Sequence, residues 1–90
     1  MEHSAAELVA TQGDYSLVRW SGRKFPGLLV QGDTLSILVS ILSESQDLLD
    51  DGEIDEAKFA LTDLKLRLAG MQESYEEMMK SAGIRLPYAK

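Results

Sequence analysis

The sequence predicts an α+β fold, a small three-stranded antiparallel sheet followed by an antiparallel helical hairpin. Three observations carry that expectation. β-forming residues crowd the first thirty positions around a two-residue turn, Gly13-Asp14. Apolar residues then recur three and four apart through two long stretches. Between those stretches "DDGE" at 50–53 makes a tight acidic turn.

The elements follow in chain order. "ELVATQ" and "YSLVRW" flank Gly13-Asp14, and a Gly-X connection between β-formers signals a hairpin with a primed turn. Regular pairing across it sets Thr11 opposite Ser16, Val9 opposite Val18 and Glu7 opposite Trp20 on one face. The other face joins Ala10 to Leu17 and Leu8 to Arg19. Neither face is cleanly apolar, so pattern alone does not choose the core side. "SGRKFPG" reads as a loop broken by Pro26 and Gly27, and "LLVQ" as a short third strand, so strands occupy about 7–31.

A first helix is expected over 33–50, with Asp33 as N-cap accepting orphan amides of the first turn. Leu35, Ile37, Leu38, Val39, Ile41 and Leu42 surround most of it and leave Ser36, Ser40, Ser43 and Asp47 as a narrow polar stripe. Such a helix should be buried on more than one side. The second helix, 53–82, carries a seam from Ile54 through Ala57, Leu61, Leu64, Leu68, Met71, Tyr75 and Met78 to Ala82. Gly83 is placed for a left-handed C-cap with Ile84 as its hydrophobic contact. In the tail 83–90, Ile84, Leu86 and Tyr88 alternate as if laid extended against the body. The 90 residues are read as a single domain.

Composition limits what this domain does. Hydrophobic residues make up 44% and charged ones 27%, as in globular proteins. With no cysteine, disulfides and thiolate metal sites are excluded, and the composition suits a reducing cytoplasm. The apolar run "LSILVSIL" is too short to span a membrane, and the N-terminus does not read as a signal peptide. Net charge is −6, unevenly spread: residues 33–80 hold twelve acids and four cations. That half repels phosphates and anionic lipid, so neither nucleic acid nor membrane is expected as a partner, whereas a basic protein surface is attracted.

Candidate chemistry is sparse. The one histidine, His3, sits near the terminus, and no catalytic residue, metal ligand or cofactor site is expected. Neighbouring acids such as Asp55/Glu56 and Glu76/Glu77 point about 100° apart on a helix and do not converge on one atom. Arg23 and Lys24, on a loop near a helix N-terminus, form a candidate anion or partner site, with Asp33 opposing an anion there. Phe59 and Leu66, one heptad apart and opposite the seam, belong either to a core between helix and sheet or to an interface. Trp20 carries the same choice.

Arg23, Phe25, Pro26, Gly27, Gln31, Gly32, Asp33 and Leu35 spell R-x-F-P-G-x-x-x-Q-G-D-x-L, and Tyr75 and Leu86-Pro87-Tyr88 follow. In this the chain resembles a family of short, uncharacterised bacterial proteins with two strands, the motif, and two helices. The resemblance implies an α+β domain and no particular activity. Some small acidic bacterial proteins are immunity proteins for toxins, and that analogy fits the charge. The expectation is therefore a non-enzymatic, acidic protein-binding module, an antitoxin-like inhibitor of a basic partner. The alternatives are a homo-oligomeric structural protein and a small-anion sensor using Arg23 and Lys24.

Overall fold

The computed structural model describes residues 5–90, and His3 lies outside them. Its elements are β1 (Ala6–Gln12), β2 (Tyr15–Trp20), β3 (Gly27–Leu29), α1 (Gly32–Asp50) and α2 (Ile54–Ser81). The α+β class, the antiparallel order β1-β2-β3 and the helical hairpin are all present. The chain divides into two compact units: residues 5–30 with 72–90, and residues 31–71.

In the first unit, Gly13 adopts φ 59° while Asp14 keeps a negative φ, the primed turn that matches strand twist. Thr11 pairs with Ser16 and Ala10 with Leu17 as expected, and the two hydroxyls lie 3.0 Å apart. Beyond them the expected pairing fails. A bulge at Val9 sets Leu8 opposite Val18, Glu7 opposite Arg19 and Ala6 opposite Trp20. Its physical reason is visible in the packing: Val9 and Ala10, consecutive residues, both pack on the core cluster, which a regular strand forbids. Leu17, Tyr75, Met78 and Met79 form that cluster, with Tyr15, Phe25, Leu28, Ile84 and Leu86 against it. The third strand is shorter than "LLVQ", because only Gly27–Leu29 pair with β2.

In the second unit, α1 begins one residue early. Gln31, in extended conformation, is its N-cap, and no side chain caps the end. Asp33 is thus a first-turn residue; its carboxylate still accepts one free amide, from Thr34 at 2.9 Å. The helix ends in a Schellman turn: Gly52, at φ 79°, donates to Leu49 O, and Glu53 donates to Leu48 O at 2.8 Å. The same turn closes α2, where Gly83 (φ 70°) donates to Lys80 O and Ile84 to Met79 O. Within α1 only Leu38 and Ser45 are buried, so the expectation of burial on several sides is wrong. A hairpin of two helices has one contact seam, and nothing in this unit covers the rest of α1.

Candidate functional site

Pro26 and Gly27 turn the chain from β2 into β3, and that corner is locked from two directions. Tyr75 donates a buried 2.7 Å hydrogen bond to the Pro26 carbonyl, and burial, together with the neighbouring Tyr88, raises the Tyr75 pKa. The Trp20 ring lies over Gly27 so closely that a Cβ there would stand 2.7 Å from Cη2. The second condition explains the motif's glycine, because residue 27 must have no side chain; the carbonyl that Tyr75 bonds is backbone, which any residue at 26 would offer. Trp20, 38% exposed, acts as a lid on this glycine at the sheet's edge strand.

The tail adds a polar clamp. Tyr88 stacks on Tyr75 with centroids 6.5 Å apart. Its hydroxyl donates to Glu76 at 2.9 Å, and Lys90 Nζ bonds the other Glu76 oxygen at 2.9 Å. The Lys90 hydrogen bond holds the Glu76 carboxyl below its ordinary value, and Glu76 in turn raises Lys90. On the sheet side, Gln12 donates to Glu77 at 2.6 Å.

Arg23 and Lys24 line separate concavities. Arg23 lines one concavity, of about 460 Å³, beside Glu7, Arg19 and Trp20. Lys24 lines another, of about 740 Å³, with Phe25, Arg85, Leu86, Tyr88 and Lys90, and its Nζ sits 5.4 Å above the Phe25 ring. The fold, rather than any local motif, brings Arg85 and Lys90 beside Lys24, so no sequence signal marked them. No cluster of three or more His, Cys, Asp or Glu that could hold a metal occurs among the described residues. No helix among them is long and apolar enough to cross a membrane.

Residues 31–71 present a different kind of surface. Phe59 is 80% and Leu66 67% exposed, so the core placement is wrong and both face water. The expected seam also divides. Ala57 is buried and Leu64 half-buried in the hairpin, while Tyr75 and Met78 belong to the sheet's core. Ile54, Leu61 and Leu68 stand exposed, as do Leu35, Leu42 and Leu49 of α1. Each set repeats every seven residues; the α2 set belongs to the expected seam, whereas Leu35 and Leu42 belong to the apolar residues expected to surround α1. The signal that marks the two sets is positional. Leu49 and Ile54, Leu42 and Leu61, Leu35 and Leu68 lie equally far from the turn, so they stand level across an antiparallel hairpin.

No curated protein and no solved structure matches the chain. A family model matches residues 1–88, nearly the full length, and the chain belongs to that family, DUF6959, a family of unknown function.

Proposed function

We propose that this chain is a non-enzymatic protein-binding module whose working surface is the helical hairpin of residues 31–71. One observation carries the reading. Six level, heptad-spaced aliphatic side chains of the hairpin remain exposed, a contiguous stripe of the kind that marks interaction sites rather than isolated surface leucines. The charge supports a protein partner over nucleic acid or anionic lipid, because residues 44–56 carry seven acids and no cation. An antitoxin-like hold on a basic partner would use that acidic turn. A clamp of Arg23 and Lys24 on one anion gains no support, since the two line separate concavities.

Photo-crosslinking in the native cell tests the module. A photoreactive residue at position 42 is expected to give protein adducts, and the same residue at position 40, on the polar stripe, is expected to give few. Equal yields at both positions, or none at 42, would overturn the reading.

A further inference from the structure

The hairpin face has a definite geometry. Four of the six exposed stripe residues follow an inward one by four: Leu42 after Leu38, Leu49 after Ser45, Leu61 after Ala57, Leu68 after Leu64; Leu35 and Ile54 continue the two stripes by one heptad. Four residues advance a helix about 40° past a full turn. The chain reverses direction between α1 and α2, so the same rotational sense on each brings both stripes to one side of the hairpin. In a four-helix bundle the axis lies about 45° off the line joining neighbouring helices, which is where these side chains point. Leu35, Leu42, Leu49, Ile54, Leu61 and Leu68 are therefore placed where half of a bundle core would lie.

We propose that the missing half is a second copy of this chain, and that the two hairpins pack with their turns at opposite ends. This deepens the protein-binding reading and rests on it. Two observations name the occupant. The first is area. A face as long as α1, about 28 Å, and two helices wide, about 20 Å, covers 500–600 Å² in projection. On contoured side chains that approaches the roughly 800 Å² per partner of a standard interface, while the hairpin alone buries only Leu38, Ser45 and Ala57. The second is charge. The turn end, residues 44–59, holds seven acids and Lys58, a net of −6, whereas the rest of residues 31–71 holds Lys65 and Arg67 against Asp33 and Asp63, a net of zero. Packing with the turns together would set seven acids beside seven. Packing with the turns opposed places each acidic end beside the other copy's neutral end and so avoids that repulsion. A dyad through that arrangement crosses the middle layer, so Leu42 of one copy meets Leu42 of the other and the contact is isologous.

Light scattering after gel filtration of the intact chain tests this. The expected mass is twice the 9.9 kDa of the chain. Leu42→Glu combined with Leu61→Glu is expected to halve it, while Phe59→Glu, outside the face, leaves it doubled. Because the double variant could unfold, a second measurement stands beside it. The chain has no cysteine, so Leu42→Cys alone is expected to oxidise readily to a covalent dimer, whereas Leu35→Cys needs Leu49→Cys as its partner. A Leu42→Cys chain that pairs only when mixed with Leu61→Cys would overturn the opposed orientation. A mass of 9.9 kDa at every concentration would overturn the dimer. If position 42 then still photo-crosslinks to a different protein, the binding module stands and only the self-partner fails; if it crosslinks to nothing, both fail.

Discussion

Tyr75 links the motif loop to the second helix through one hydroxyl. Its bond to the Pro26 carbonyl is buried, and no buried side-chain polar atom among the described residues lacks a partner. Tyr75→Phe leaves that carbonyl unsatisfied and should cost about 1–3 kcal/mol, read as a lower urea midpoint with unchanged slope. Gly27→Ala tests the Trp20 lid: the new methyl collides with the ring, and overpacking of this kind costs about 1–3 kcal/mol. An altered Trp20 fluorescence spectrum should accompany it, and an unaltered spectrum at full stability would contradict the lid. The Glu76 clamp predicts a pH window for the tail. Lys90 lowers the Glu76 pKa, so that contribution is present above the ordinary carboxylate range and is lost as pH falls through the depressed value. The raised Lys90 pKa acts oppositely, with its contribution present below the ordinary lysine value and lost as pH rises through the raised one. The tail should therefore dock best between about pH 5 and 10. Tyr88 ring resonances followed by NMR should shift on acidification to about pH 3; resonances unchanged from neutral pH would contradict the clamp.

At the scale of elements, the two Schellman turns put glycine where an L side chain is strained. Gly52→Ala and Gly83→Ala should each cost about 1–2 kcal/mol in thermal or urea unfolding. These turns were legible from the chain because each depends on one residue type at one position. The β1–β2 turn was legible for the same reason. The Val9 bulge was not, since pattern reading assumes strict alternation and both Val9 and Ala10 suit either face. The start of α1 was misplaced because Asp33 is the better capping residue by type, while Gln31 takes the position by backbone conformation alone. The candidate surface was half legible. Leu61 and Leu68 lie only 40° from Ala57 and Leu64, and a helix apolar over so wide an arc does not reveal which part meets its neighbour. Nor does unbroken spacing from Met71 to Tyr75 to Met78 show that α2 passes from the hairpin into the sheet's core.

At the scale of the whole molecule, the two units differ in what they bury. The sheet, the end of α2 and the tail enclose Leu17, Tyr75, Met78 and Met79. The hairpin encloses little beyond Leu38, Ser45 and Ala57 and leaves its aliphatic stripes in water. A two-helix layer of this kind gains most of its stability from a second layer. If that layer is another copy, folding is coupled to association, and stability rises with protein concentration by mass action. The most direct measurement is the helical unfolding midpoint, by circular dichroism, over about 1 to 100 μM protein. The midpoint is expected to climb with concentration and to lose that climb in the Leu42→Glu, Leu61→Glu double variant. A midpoint independent of concentration, with full helicity at the lowest, would contradict that coupling.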